Sequence, residues 1–132
     1  SEELDPPAAF RLRRAAAYRA YYEHLPLPRR AVPLGANLRL HAALSFGDLA
    51  QVVMLDGRQF RSPQACPPPG RSGGSATICR ELDEPARTML GGAQEQWLAA
   101  RLAGSRSRWN LMGQGVVMTR VDEQPGPGER FW

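Results

Sequence analysis

Apolar and polar positions alternate from Leu38 to Phe46. Leu38, Leu40, Ala42, Leu44 and Phe46 fall on one side, and Arg39, His41, Ala43 and Ser45 on the other. A period of two belongs to a strand with one apolar face and places His41 in the outward register. Gly47-Asp48 interrupts the run as a tight reversal, in the opposite order to the usual hairpin pair, so the turn type stays open. From Leu49 to Leu55 the chain is apolar on both faces, with Val52, Val53, Met54 and Leu55 consecutive. Such a run predicts a central strand covered on both sides. It ends in Leu55-Asp56-Gly57-Arg58-Gln59-Phe60-Arg61, so an acid and two arginines arrive at a strand end, where ligands collect in mixed sheets.

Elsewhere the period is helical. Asp5-Pro6-Pro7 reads as a helix start, and the pattern runs from about Ala8 to Leu25. Phe10, Ala17, Tyr18, Tyr21 and Leu25 share its predicted buried face, until Pro26 and Pro28 stop it. A Pro/Gly connector spans 26–36. An irregular loop of about 57–84 carries Cys66, Pro67-Pro68-Pro69 and Cys79. A short turn over Glu84–Met89 precedes a helix from about Gly91 to Ala103, with Leu90, Ala93, Trp97, Leu98 and Leu102 as its stripe and Gly104 as its stop. Trp109–Met112 predicts a further strand, and Val116–Met118 its continuation. Residues 122–130 are polar and rich in Pro and Gly. The two aromatics that follow, Phe131-Trp132, read as a cut through the middle of a larger fold.

Composition narrows the classes. A chain of 132 residues is one domain at most, and 12 prolines with 13 glycines make much of it loop. No stretch has the length of a membrane span, and no charged-then-apolar start reads as a signal peptide. All 17 basic residues are arginine, for a net charge of +4. Either GC-rich codon usage or phosphate binding accounts for that choice. The arginines are scattered rather than interleaved with aromatics, which argues against a nucleic-acid partner. Cys66 and Cys79 lack the two further ligands of a zinc site. They read better as a disulfide, in a protein outside the cytosol, than as two free thiols. HExxH, CxxC pairs, GxSxG and Gly-rich phosphate loops are absent. His24, at a helix end, and His41 read as ordinary. The remaining constellation is Asp56, Arg58 and Arg61. It is either an arginine fork for an anion with an orienting aspartate, or an ion pair closing the strand.

Several blocks together resemble the middle of the PhoD-like alkaline phosphatases. They are Arg14-Ala15-Ala16-Ala17-Tyr18-Arg19-Ala20-Tyr21-Tyr22-Glu23-His24-Leu25-Pro26-Leu27, Leu38-Arg39-Leu40, and Phe46-Gly47-Asp48-Leu49-Ala50. Leu55-Asp56-Gly57-Arg58-Gln59-Phe60-Arg61-Ser62 follows, where the family commonly has Thr and Tyr in place of Gly57 and Phe60. Leu90-Gly91, Gln94-Glu95, Trp97-Leu98, Ser107-Arg108-Trp109-Asn110 and Gln114 complete the series over about residues 10–120. The resemblance implies an α/β fold: part of a metallophosphoesterase-like sandwich, with a central mixed sheet and flanking helices, forming one incomplete domain over 1–132. It implies hydrolysis of phosphate mono- and diesters at a calcium and iron centre in the longer parent. It also implies a Cys66–Cys79 disulfide, an extracytoplasmic (periplasmic or secreted) location, and Arg58 near the phosphate pocket with Asp56 orienting it and Arg61 a weaker candidate. The family's metal-ligand blocks lie outside this stretch, so these residues alone are expected to bind no metal and to be inactive. The rival expectation is a small non-enzymatic module that uses its arginines on an acidic partner.

Overall fold

A computed structural model of the chain describes residues 7–67, 76–77, 79–117 and 130–131. The chain divides into two compact units, Ser1–Leu40 and His41–Trp132.

In the first unit, helix α1 spans Pro7–His24. Proline is tolerated in the first turn, where its missing N–H has no helical partner; the expected Asp5 cap lies outside the described residues. No residue of α1 is fully buried. The half-buried positions include Phe10, Arg14, Tyr18 and Tyr22, a row at four-residue steps. This corrects the expected face: Ala17, Tyr21 and Leu25 are exposed. Arg14 joins the row because its Nε donates to the Tyr18 hydroxyl at 3.0 Å and its guanidinium lies 5.2 Å from the Tyr18 ring centre. On the exposed side, Arg19 and Glu23 pair at 2.8 Å, and the hydrogen bond to Glu23 holds the Arg19 proton more tightly. Beyond the prolines, a 3-10 turn at Arg29–Ala31 buries Ala31. Leu34 and Asn37 then bridge across Gly35, whose φ is +61°.

The second unit is built on a mixed sheet. Strand β1 spans Ala42–Phe46 and β2 spans Ala50–Met54, antiparallel, with Phe46 opposite Ala50. The reversal holds three residues, Gly47-Asp48-Leu49, and Gly47 leads it with φ +57°. Strand β3 (Ala76–Thr77) pairs with β5 (Arg130–Phe131) in a separate two-stranded ladder. Phe131 therefore lies in a strand, while Trp132 is outside the described residues. Helix α2 spans Gly92–Ala103 and ends at Gly104, whose N–H reaches the Ala100 carbonyl at 3.0 Å. Strand β4 (Trp109–Gly113) runs parallel to β2, giving the order β1-β2-β4 with β2 central.

Four expectations need correction here. The alternation from Leu38 becomes strand only at Ala42, because the Asp56 N–H and C=O beyond Met54 are taken by the Gln94 side chain, which ends the ladder. The β2 strand is covered on one face only: Gln51 and Val53 are buried, but the opposite face leaves Leu44, Phe46, Met54, Trp109 and Leu111 44% to 64% exposed. Val116 and Val117 do not continue β4; Val116 turns toward Gly57, its Cγ2 standing 3.0 Å from where a Cβ there would be. His41 is half-buried rather than outward, with its ring 4.8 Å from that of Trp97 on α2. The expected turn before α2 is present, with the Arg87 N–H reaching the Glu84 carbonyl at 3.0 Å, and a 3-10 turn over Arg80–Asp83 precedes it.

Candidate functional site

β2 and its parallel neighbour β4 finish at the same edge of the sheet, at Met54 and Gly113, and the Leu55 N–H still reaches the Gly113 carbonyl at 2.8 Å. Carboxyl ends of parallel strands are where such sheets expose backbone and loops to a ligand. The next residue is Asp56, 5% exposed. Its Oδ1 accepts the N–H groups of Arg58 at 3.0 Å and Gln59 at 3.1 Å, and its Oδ2 accepts from Gln59 Nε2. A carboxylate that bonds the backbone two and three residues on folds the chain into a tight turn. Asp56 thus makes no ion pair with Arg58 or Arg61 of the kind the strand-closing reading expected, and it meets Arg58 through the main chain. Arg58 is carried outward, exposed, while Arg61 is half-buried.

The turn is fastened to the start of α2. Gln94, 2% exposed, takes both main-chain groups of Asp56. Its Oε1 accepts the Asp56 N–H at 2.8 Å, and its Nε2 donates to the Asp56 carbonyl and to the Leu90 carbonyl, each at 2.9 Å. At the far end, the Ser62 N–H donates to the Thr88 carbonyl at 2.8 Å, and the Thr88 N–H to Ser62 Oγ at 2.9 Å. Between the two fastenings, Phe60 presses on Gly91. A Cβ at Gly91 would stand 2.9 Å from Phe60 Cβ, and φ there is +77°. The Thr88 hydroxyl accepts the Leu90 and Gly91 N–H groups at 3.2 and 2.9 Å and donates to Glu95.

Gln94 is absent from the predicted stripe of α2, and Ala93 and Leu102, placed in that stripe, are exposed. The signal was available. Position 94 follows Leu90 by four and precedes Trp97 and Leu98 by three and four, so a polar side chain stands on the apolar face.

The irregular loop closes through a Cys66–Cys79 disulfide with a Cα–Cα distance of 6.3 Å, inside the usual range. Glu81 stitches it: Oε2 accepts the Cys66 N–H at 3.0 Å, Oε1 pairs with Arg87 Nη1 at 2.7 Å, and Arg87 also donates to the Pro63 carbonyl. Cys66, Cys79 and Glu81 are also the one gathering of potential metal donors among the described residues. It does not fit a calcium and iron centre. The two sulfurs are bonded to each other, the carboxylate is engaged, and calcium calls for six or more oxygens. A hollow of about 430 Å³ lined by Ser45, Asp48, Gln51, Arg101 and Arg106 sits at the hairpin end of β2 and contains none of the candidate residues.

Comparison with known proteins agrees with this architecture. The PhoD-like phosphatase family matches residues 1–132. Alkaline phosphatase D of Bacillus subtilis (strain 168) is 41% identical over 112 residues, covering 85% of this chain and 18% of that protein. A solved structure titled "Structure of PhoD" superposes with a TM-score of 0.84 at 36% identity, over 97% of this chain and 24% of that chain. The chain thus spans under a quarter of the length of the relatives it matches. A match along all 132 residues, on a mixed α/β frame that superposes so closely, places this chain in the PhoD-like phosphatase family.

Proposed function

We propose that these residues supply the arginine-bearing wall of the phosphate pocket in a longer alkaline phosphatase. The enzyme would hydrolyse phosphate mono- and diesters at a calcium and iron centre whose ligands come from other parts of that protein. The observation that carries this reading is Arg58: an exposed guanidinium on a turn held by a buried carboxylate, at the carboxyl ends of two parallel strands. Its planar fork matches two phosphate oxygens at once. Asp56 orients Arg58 through the main chain. Arg61, half-buried three residues on, stands behind it as the weaker candidate. The disulfide supports an extracytoplasmic setting, where such bonds persist. No helix among the described residues is long and apolar enough to cross a membrane.

Two measurements test this. In a full-length enzyme carrying this sequence, Arg58→Ala lowers kcat/KM for p-nitrophenyl phosphate by about 100-fold, the scale of losing one charge-stabilising donor. Unchanged turnover removes Arg58 from the pocket. The 132 residues alone, assayed with added calcium and iron, give no turnover above background, and clear turnover would show that the stretch carries its own metal centre. The non-enzymatic module that binds an acidic partner gains no support from the family match or from the relatives.

A further inference from the structure

Arg58 can recognise an anion rigidly only if its loop is rigid, and the loop's own contents do not guarantee that. Gly57 sits directly before Arg58, and Asp56 fixes the turn only relative to itself. What ties the turn to the rest of the fold is the segment Thr88–Gln94 at the head of α2, and within it the Gln94 carboxamide. That group is buried, both its ends are used, and it holds the donor and the acceptor of a single residue, Asp56, at 2.8 and 2.9 Å. A side-chain amide paired with one residue's N–H and C=O acts as the missing neighbouring strand. It fixes position 56 both along the strand and across it. Its third bond, to the Leu90 carbonyl, anchors the amide to its own helix and selects its orientation.

We infer that Gln94 is the positioning residue for Arg58. Through the backbone of Asp56 it sets where the guanidinium stands, with the Ser62–Thr88 pair as the second fastening of the same loop. The inference rests on the assignment of Arg58 to the phosphate pocket and adds to it the group that aims it. A misplacement of about 1 Å in such a donor costs on the order of 100-fold in rate. Partners one step removed from a site typically cost 10- to 100-fold, as an order of magnitude.

The test is a double-mutant cycle in a full-length enzyme carrying this sequence, with p-nitrophenyl phosphate as substrate and inorganic phosphate as competing ligand. Gln94→Leu, close in volume, should lower kcat/KM at least about tenfold and weaken phosphate inhibition in parallel. In the Arg58→Ala background the same change should cost less than about twofold, because there is no guanidinium left to aim. A loss of equal size in both backgrounds shows that Gln94 acts on stability or elsewhere and overturns the inference, as does no loss while Arg58→Ala is damaging. If Arg58→Ala is itself silent, the Arg58 assignment falls and takes the inference with it. Should Gln94→Leu fail to accumulate as folded protein, Gln94→Glu keeps the acceptor for the Asp56 N–H but loses the donor to its carbonyl. Ser62→Ala removes the side-chain half of the second fastening and leaves its backbone half in place. Both enter the same cycle with the same expected and overturning results.

Discussion

Among the described glycines with positive φ, Gly47 and Gly91 carry it for different reasons, and the difference is measurable. Gly47 leads the β1–β2 reversal at φ +57°, and a Cβ there would meet nothing within 4 Å. Gly91 enters α2 at φ +77° and ψ 142°, with Phe60 Cβ at 2.9 Å and the Phe60 carbonyl at 3.3 Å from a Cβ position. At Gly47 an alanine faces only the left-handed backbone cost, about 1 kcal/mol. At Gly91 it faces a conformation nearly confined to glycine together with a steric overlap, about 3 kcal/mol or more. Thermal unfolding of the two variants in a full-length enzyme should therefore show Gly91→Ala clearly the lower in Tm. A smaller loss at Gly91 than at Gly47 would mean that Phe60 and the head of α2 can part easily, and that the Arg58 loop is not clamped there. Gly57 is constrained by a neighbour rather than by a positive φ. A Cβ there would stand 3.0 Å from Cγ2 of Val116, so any side chain at this position requires Val116 to shift.

Among the elements, the described ends of the disulfide loop carry covalent and ionic links. Ala65, just before the loop, is buried, at 4% exposed, while Cys66 and Cys79 are half-buried. Cys66 adopts φ +52°, uncommon for a residue with a side chain, and its N–H is tied to Glu81 at 3.0 Å. A crosslink with a sequence separation of 13 restricts the unfolded chain by about 3 kcal/mol in the chain-entropy account. Replacing both cysteines by serine should cost that much in urea unfolding, and a reducing agent should lower the midpoint of the parent but not of the double variant. Equal midpoints for parent and double variant without reductant would show that the bridge contributes nothing. The loop joins the site through Arg87, which pairs with Glu81 and precedes Thr88, the partner of Ser62. Fraying should accordingly reach the second fastening of the Arg58 loop.

At the scale of the molecule, one face of the β1-β2-β4 sheet is left open. Leu44, Phe46, Met54, Trp109 and Leu111 form a contiguous apolar surface across three strands, with Val52 half-buried in its middle. Contiguous apolar surface of this kind marks an interaction face or an aggregation hazard. The 132 residues expressed alone should bind a hydrophobic dye and self-associate as concentration rises, measurable by light scattering. Phe46→Ser with Trp109→Ser should reduce both signals. A monodisperse monomer that ignores the dye would show that this face is covered after all.

The pattern of residues was enough to determine local matters. The proline-opened helix α1, the hairpin around Gly47, the central place of β2, the glycine that stops α2 and the cysteine pair all follow from steps of two or four along the chain, or from residues with a single backbone habit. The serial motifs made the family legible for the same reason, since each block is local. What alternation could not decide was how far β1 extends, because its end is set by Gln94, 38 positions from the Asp56 groups it occupies. Nor could it tell which face of β2 is covered, because an apolar run reads the same whether a layer lies over it or not. The role of Asp56 was likewise fixed only in three dimensions. An acid beside two arginines looks like an ion pair in one dimension, whereas the fold turns its oxygens onto backbone N–H groups and leaves the Arg58 guanidinium outside. Burial and hydrogen-bond partnership depend on what arrives from distant parts of the chain, and only the tertiary structure brings those parts together.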